Sequence, residues 1–274
     1  ITDIQEIPNI SEDTLNLLNC ALDQEQPDLV ILTGDQIKGY GITYKGKGEE
    51  LYKNVAGTIN KIMKPVTSRN IPFAVTFGNH DRQAGLSNEQ QFRYIYSKLP
   101  NCIQGSNVYN AGTFNIPVYS SDGANVVFNI YLMDSQTDKK SGGYEPLQSE
   151  QLEWYRNTRE RLKTENGKYI PSILFQHIPL PEYYNLLKKA SRFSKGAVRA
   201  YRTHKNKFYM LGDSCDKDGI FLEPPSIPDI NIGEFDAISE KEDVIAVFVG
   251  HDHKNSFVGR YKNITMGFTP VSYT

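Results

Sequence analysis

The sequence has few cysteines, no long apolar run and no excess of charge of either sign. Cys20, Cys102 and Cys215 are odd in number and far apart, so we expect neither a disulfide framework nor a zinc knuckle. No apolar run approaches the roughly 20 residues that a membrane-spanning helix needs. The 30 basic and 32 acidic side chains give a net charge of −2, so we expect no nucleic-acid partner.

What remains is ordinary globular composition. The 274 residues are 39% hydrophobic and 23% charged, without an internal repeat or a low-complexity tract, which predicts a single domain over residues 1–274. The chain begins at Ile1 rather than at methionine. A signal peptide could have been removed, so cytoplasmic and secreted locations both stay open, as does the oligomeric state.

Apolar runs rich in β-branched residues alternate with segments of helical spacing, as in α/β proteins. Strands are predicted at 29–33, 71–77, 173–176 and 244–249, and helices at 11–22, 51–63, 85–98 and 147–162. Residues 1–5 resemble the tail of a further strand. Residues 108–134 alternate around Asp122 and Gly123, which predicts an antiparallel hairpin in a second sheet. Residues 191–232 are predicted to be loop-rich, and 263–273 to form a final strand or hairpin.

Polar residues able to bind metal or phosphate follow each of the four runs. They are Gly34-Asp35, Gly78-Asn79-His80-Asp81, His177 and Gly250-His251-Asp252-His253. In open α/β sheets, ligands gather outside the carboxyl ends of the strands. Alternate residues of an extended segment point the same way, so both histidines of the last motif can face one site. The alternatives are tight turns with exposed rings and a satisfied core histidine. The recurrence favours a metal or acid–base site.

These motifs, together with Asp3, resemble those of the calcineurin-like metallophosphoesterases in order and approximate spacing. Gly34–Ile37, Met133–Gln136, His177–Tyr183 and Gly250–Asn255 are similar to one branch, which contains plant purple-acid-phosphatase-like proteins and a fungal dosage-type phosphatase. The resemblance implies an α/β fold, a four-layer α/β/β/α sandwich of two mixed sheets flanked by helices. It also implies a hydrolase that uses two metal ions.

Hydrolysis of a phosphate ester needs a hydroxide at neutral pH and neutralisation of the phosphoryl oxygens. Two metal ions roughly 3.5–4 Å apart supply both, with the hydroxide bridging them. By the resemblance, Asp35 bridges the ions. One ion is held by Asp3, Asp35 and His253, with Gln5 at the remaining position. The other is held by Asp35, Asn79, His177 and His251.

The resemblance also gives His80 a role without making it a ligand. It would bind a phosphoryl oxygen and protonate the leaving alkoxide, helped by Asp81 or another carboxylate. The alternative is a tight turn with an exposed imidazole. His204 is expected to be a solvated surface residue and Trp154 to pack in the core. Arg82 suits a phosphate clamp and a surface position equally.

Two positions depart from the family pattern. The first motif normally supplies a histidine two residues after its aspartate, and here that residue is Gln5. Its amide oxygen would be a harder and weaker ligand, favouring Mn, Fe or Mg over Zn or leaving the position partly occupied; alternatively, Gln5 faces away and water replaces it. The second is Lys38, where purple enzymes carry the tyrosine that binds ferric iron. We therefore expect a colourless protein with two divalent or mixed-valence ions (Mn, Fe or Zn).

The expected function is that of a phosphomonoesterase acting on an unidentified phosphorylated substrate. The alternative within enzymes is a phosphodiesterase for cyclic nucleotides or lipid head groups, because the same core serves both. A non-catalytic relative that kept the fold is the third hypothesis. Gln5 is the residue that keeps it open.

Overall fold

The computed structural model describes residues 1–105 and 107–271. The helices are α1 (Glu12–Glu25), α2 (Glu49–Ser68), α3 (Asn88–Tyr94), α4 (Ser149–Asn166) and α5 (Glu234–Ser239). The strands are β1 (Val30–Thr33), β2 (Phe73–Thr76), β3 (Asn107–Asn110), β4 (Thr113–Tyr119), β5 (Val126–Met133), β6 (Ser172–Gln176), β7 (Leu187–Ala190), β8 (Val198–Arg199), β9 (Phe208–Leu211), β10 (Ile220–Phe221), β11 (Val244–Val249), β12 (Asn255–Ser256), β13 (Val258–Tyr261) and β14 (Ile264–Phe268).

The larger sheet is mixed and has seven strands in the order β13-β14-β11-β6-β5-β4-β3. Its centre is parallel, with β11 between β14 and β6, and β6 beside β5. Both edges are antiparallel, through the β13–β14 pair and the β3–β4–β5 meander. The carboxyl ends of β6 and β11 therefore lie at the same edge.

The smaller sheet pairs β1 with β2 in parallel. The N-terminal segment runs beside β1, since Thr33 N donates to Ile1 O at 3.0 Å and Asp3 N donates to Gly34 O at 3.0 Å. Residues 1–5 therefore hydrogen-bond along β1 as the predicted strand tail would, although they do not form a regular strand. It places Asp3 beside the end of β1.

Alternate faces of the strands feed different core layers. Ile31 and Ala74 pack between the two sheets with Phe114, Ile130 and Leu132. The opposite face of the small sheet, including Val30, Leu32, Phe73 and Val75, packs on α1 and α2. On the outer face of the large sheet, Leu174 and Val247 share a cluster with Leu152 and Tyr155 of α4 and Phe235 of α5. The predicted four-layer α/β/β/α sandwich is confirmed, but both sheets were expected to be mixed, and the smaller sheet pairs β1 with β2 in parallel.

The region predicted as loop-rich contains more structure than expected. β7, β9 and β8 form a three-stranded antiparallel sheet, and β10 pairs with β12. These strands are two to four residues long, too short to give a clear periodicity. His204 lies here half-buried, its ring stacked on Tyr184 at 4.3 Å, so the expectation of a solvated residue was wrong.

Other expectations differ only at boundaries. The helix predicted over 85–98 is shorter, because a capping box between Ser87 and Gln90 starts α3 and a 3₁₀ turn follows it. The final hairpin is β13–β14, and the last predicted residues of that segment lie outside the described ranges. Trp154 packs against the core as expected. Within the described part of the chain, no helix combines the length and the apolar character needed to cross a bilayer.

Candidate metal centre

The predicted ligands converge at the edge where the strands end. Asp35 follows β1, Asn79 and His80 follow β2, His177 follows β6, and the last histidine pair follows β11. Ligand atoms of Asp35, His177 and His251 all lie within 4.8 Å of one another. The two sheets thus bring residues from four distant parts of the sequence to one point.

Glycines before the ligands allow this close approach. A Cβ on Gly34, which has φ +105°, would lie 2.5 Å from Gly78 N and 2.7 Å from His177 Nδ1. A Cβ on Gly250 would overlap Thr2 Oγ1 and lie 2.5 Å from Asp3 Oδ2. Only glycine leaves room for the neighbouring ligand at these two positions.

Several polar side chains at the centre belong to residues in the left-handed region, which non-glycine residues rarely adopt. The φ angles are 49° at Asp3, 46° at Gln5, 53° at Asp35 and 75° at His251. Such strained positions cluster at functional sites because the surrounding fold has to hold them. Here they turn the side chains inward immediately after the extended segments end.

Asp35 lies in the middle of the cluster. Its Oδ2 is 3.2 Å from His177 Nε2 and 3.2 Å from Gln5 Nε2, while Oδ1 accepts from His80 N at 2.8 Å. Burial alone would raise its pKa, but His177 and the surrounding hydrogen bonds hold the pKa of Asp35 well below its usual range. The carboxylate is therefore ionised and faces residues on both sides of the centre.

One half of the centre is formed by Asn79, His177 and His251. Asn79 is 1% exposed, and its buried Oδ1 has no hydrogen-bond partner among the described residues. His177 Nδ1 lies 3.0 Å from Thr33 O, so Nδ1 carries the proton and Nε2 faces the centre. His251 Nδ1 lies 3.3 Å from His177 Nε2. A buried unpaired amide oxygen and two ring nitrogens that converge beside a carboxylate fit a divalent cation.

The pKa values of His177 and His251 are shifted in opposite directions. Burial lowers the pKa of His177, but Asp35 and Asp3 outweigh it and raise that pKa to about 10. Burial, and then the neighbouring His177, lower the pKa of His251 to about 3. Two adjacent buried rings cannot both be positively charged, so His251 stays neutral and one of its ring nitrogens keeps a lone pair.

The other half is formed by Asp3, Gln5 and His253. Asp3 Oδ2 accepts from Thr2 Oγ1 at 2.7 Å and from His251 N at 2.9 Å, and Asp3 Oδ1 lies 3.1 Å from His253 Nε2. The side chain of His253 is 28% exposed. Asp3 and His253 can offer one carboxylate oxygen and one ring nitrogen here, and their role as ligands stays a prediction.

Gln5 turns its amide nitrogen toward this half. Its Nε2 lies 3.2 Å from Asp35 Oδ2 and 3.2 Å from His253 Nε2, whereas Oε1 accepts from Tyr40 Oη at 3.4 Å. An amide NH₂ donates hydrogen bonds and does not coordinate a cation. In this arrangement Gln5 donates to Asp35 and its amide oxygen faces Tyr40, and its role as an oxygen ligand stays a prediction.

His80 lies at the mouth of the centre with its side chain 25% exposed. Its Nδ1 is 2.8 Å from Gln83 Oε1, and Gln83 Nε2 donates to Asp138 Oδ2 at 2.6 Å. His80 Nε2 lies 3.9 Å from Asp35 Oδ2. Gln83 therefore orients the His80 ring through Nδ1, and Nε2 faces the candidate ligands.

Asp81 does not assist His80 as expected. Its carboxylate is fully buried and accepts from the backbone N–H groups of Asp35 at 2.8 Å, Gln36 at 2.9 Å and Gly78 at 2.8 Å. Burial and then Asp35 raise its pKa to about 8. Asp81 therefore ties together the chain segments that follow β1 and β2, while Gln83 and Asp138 hold the His80 ring.

The centre opens into a cleft of about 360 Å³, lined by Asp35, His80, Tyr144, Glu223, Ser226, His251, Asp252, His253 and Lys254. The ring of Tyr144 lies 4.4 Å from that of His251, and the ring of Tyr40 lies 4.4 Å from that of His80. Sequence reasoning missed both tyrosines, as well as Thr2 and Gln83. They come from loops, a 3₁₀ turn and the N-terminal segment, none of which has a periodicity that could mark them.

Residues 1–255 match the family model described as calcineurin-like phosphoesterase. This chain belongs to the calcineurin-like phosphoesterase family. The Arabidopsis thaliana protein named probable inactive purple acid phosphatase 14 is 26% identical, over 95% of this chain and 62% of that protein. Phosphatase DCR2 of Saccharomyces cerevisiae is 28% identical, over 86% of this chain and 37% of that protein. The resemblance stated from the motifs is confirmed.

A solved structure shows the same fold. A dimetal phosphatase from Danio rerio superposes with a TM-score of 0.59 at 14% identity, covering 99% of this chain and 86% of the other. The chain spans about 60% of the length of the two Arabidopsis relatives that it matches, the purple acid phosphatases 14 and 29. The calcineurin-like phosphoesterase fold therefore extends over almost all of this chain.

Proposed function

We propose that this chain is a metal-dependent phosphoesterase that acts on phosphate monoesters. The observation that carries the proposal is the convergence of Asp35, His177 and His251 beside the unpaired buried Oδ1 of Asn79. In the calcineurin-like phosphoesterase fold, a polar cluster at the strand ends is suited to bind two cations and an anionic substrate. A relative named as a phosphatase supports the same activity.

Asn79, His177 and His251 would hold one ion with Asp35. Asp3 and His253 would hold the other, again with Asp35, whose Oδ2 lies between the two groups. When bound, the ions would lower the pKa of water to supply a nucleophile and neutralise charge on the phosphoryl oxygens. The ligand oxygens suit Mn, Fe or Mg as well as Zn.

The two ions are expected to bind unequally. The half around His177 is buried, and a backbone carbonyl fixes its histidine tautomer. The half around His253 is partly exposed, and Gln5 presents an NH₂ group there. With one protein ligand fewer, this half should bind its ion more weakly.

His80 would supply the proton that the leaving alcohol needs. Its Nδ1 contacts Gln83 Oε1, and its Nε2, which lies 3.3 Å from Asn79 Nδ2, faces the centre and would be the atom that gives its proton to the departing oxygen. Asp138 holds the Gln83 amide so that its oxygen faces the ring. The His80–Gln83–Asp138 chain therefore orients the acid without bringing a carboxylate into contact with it.

A non-catalytic relative is the second candidate. It is favoured by Gln5 at a ligand position and by the word inactive in the names of the Arabidopsis relatives. Such a protein would bind metal and phosphate without turnover.

Parallel assays test the proposal. The metal-loaded protein is assayed with p-nitrophenyl phosphate and bis-p-nitrophenyl phosphate, beside His80→Ala. We expect turnover of the monoester, weaker turnover of the diester and loss of both in His80→Ala. Predominant turnover of the diester would show that the protein is a phosphodiesterase and not a phosphomonoesterase. Full metal content without turnover of either substrate would favour the non-catalytic relative.

A further inference from the structure

A second cavity, of about 530 Å³, lies beside the metal centre between the segment after Gln5 and the start of α1. Its walls include Gln5, Glu6, Asn9, Thr14, Lys38 and Tyr40. We propose that this cavity is a subsite for the leaving group and accepts a neutral polyhydroxylated alcohol, as in a sugar phosphate. The inference rests on the phosphoesterase function proposed above.

Two side chains separate the cavity from the metal centre. Gln5 points its Nε2 at Asp35 and His253, while its Oε1 accepts from Tyr40 Oη at 3.4 Å. The ring of Tyr40 lies 4.4 Å from that of His80. Because these two side chains line the cavity and also contact Asp35 and His80, the cavity adjoins the centre, and we place the alcohol attached to the leaving oxygen on this side.

Thr14 provides an unused hydrogen-bonding group in the wall. It is 1% exposed, and its Oγ1 is buried with no hydrogen-bond partner among the described residues. A helical threonine commonly bonds a carbonyl of the preceding turn, as Thr58 does with Asn54 O. A buried hydroxyl without a partner is unfavourable, and a ligand hydroxyl would satisfy it.

The charges around the cavity favour a neutral ligand. Glu6 is 6% exposed, and its carboxylate accepts only long bonds, from Ile7 N at 3.2 Å and from Ser11 N at 3.3 Å. Glu12 and Asp13 add negative charge at the first turn of α1. Among the described lining residues, Lys38 is the one basic side chain. A second anionic group would meet repulsion here, whereas hydroxyl groups can donate to Glu6.

The size and lining agree with a sugar-sized alcohol. Ligand pockets of about 300–1,000 Å³ hold small molecules through a few placed polar groups within apolar walls. The apolar part here comes from Ile4, Ile7 and Ile10. The polar groups are the carboxylate of Glu6, the hydroxyl of Thr14 and the amide of Asn9, which together accept from and donate to several hydroxyl groups.

Calorimetry on the metal-loaded His80→Ala protein, whose turnover is suppressed, tests the subsite without hydrolysis of the probes, and each further variant is made in this parent. The probes are glucose 6-phosphate and phenyl phosphate, whose leaving group carries no additional hydroxyl. We expect glucose 6-phosphate to bind more tightly. Thr14→Val removes the hydroxyl at constant volume and should reduce the ratio of the two affinities about threefold to tenfold. Ile10→Trp should reduce it further by filling the cavity.

Thr67→Val in α2 is the matched control, because it removes a threonine hydroxyl that bonds Met63 O far from the cavity. Its affinity ratio should equal that of the His80→Ala parent. Equal binding of both probes by that parent, or a ratio that Thr14→Val and Ile10→Trp leave unchanged, would overturn the subsite. Absence of turnover of both probes by the wild type, with the binding preference of the parent intact, would instead overturn the proposed phosphoesterase activity.

Discussion

The two halves of the metal centre are built from the same sheet edge but differ in protection. In the half around His177, Asn79 and His177 are 1% and 0% exposed and follow directly from β2 and β6. In the half around His253, the ring is 28% exposed. Gln5 belongs there to a segment that runs beside β1 without forming a regular strand.

The two halves differ in what holds their residues in place. A ligand at the end of a core strand is fixed by burial and by its neighbours, as the Thr33 carbonyl fixes the ring of His177. Gln5 lies at the exposed margin, next to Tyr40, and its replacement of histidine changes one side of the centre only. The comparison predicts unequal affinities for the two ions, and the following changes test it.

Asp35→Asn should have the largest effect because the carboxylate faces both halves. Loss of its charge beside His177 should remove both ions and lower kcat/KM by more than about 10³-fold. Metal analysis and phosphatase assays measure the two losses. Asp236→Asn is the control, since that side chain is 83% exposed. Loss of only one ion in Asp35→Asn would show that the carboxylate serves one half alone.

His80→Ala should lower kcat by about 10²- to 10⁴-fold with the metal content unchanged. The reason is that Nε2 lies 3.9 Å from Asp35 and the ring is oriented by Gln83 rather than by a ligand. The comparison of turnover with metal content separates acid catalysis from ion binding. If His80→Ala lost an ion, His80 would belong to one of the halves.

His251→Ala and His253→Ala probe the two halves directly. His251→Ala should weaken the tighter Mn²⁺ binding step, whereas His253→Ala should weaken only the weaker step. In each variant the affinity for that ion should fall by about 100-fold or more. Calorimetric titration with Mn²⁺ distinguishes the two patterns. The same pattern in both variants would mean that the ions bind as one cooperative unit.

Glu234→Gln should have the smallest effect and concerns the support of the buried half. Glu234 begins α5 beside Gln176, which precedes His177, and burial followed by Glu182 raises its pKa from 4.5 to about 8. The folded protein therefore keeps a proton that the unfolded chain loses, so stability falls as pH rises through this window. Glu234→Gln cannot ionise, so in this variant the loss in the free energy of unfolding between the two pH values should be smaller by about 1–3 kcal/mol.

Urea unfolding at both ends of the pH window checks this expectation. Asp122→Asn serves as the control, because Asp122 lies in an exposed turn far from α5. An unchanged pH dependence in Glu234→Gln would mean that Glu234 is ionised in the folded protein.

The fold was predictable because burial on both faces of a strand leaves a continuous apolar run. Such runs marked β1, β2, β6 and β11, and the residues that follow them are the candidate ligands. The short strands β7–β10 escaped because they contain two to four residues each. Their pairing depends on distant partners such as β12, which no local pattern shows.

The location of the candidate ligands at the strand ends was predictable, whereas their supporting contacts were not, and their role as ligands stays a prediction. Asp81 bonds to backbone groups after β1, and Gln83 reaches His80 across a 3₁₀ turn, so both roles depend on tertiary position. The orientation of Gln5 depends on Tyr40 and His253, which lie 35 and 248 residues away in sequence. Periodicity and motif spacing carry no information about such contacts.

The most direct test of the unequal halves is a Mn²⁺ titration of the wild type beside Gln5→His. We expect the wild type to bind two ions in separate steps, with the weaker step strengthened by about 10-fold or more in Gln5→His because an imidazole replaces the amide NH₂. Two ions of equal affinity in the wild type, unchanged by Gln5→His, would contradict the account.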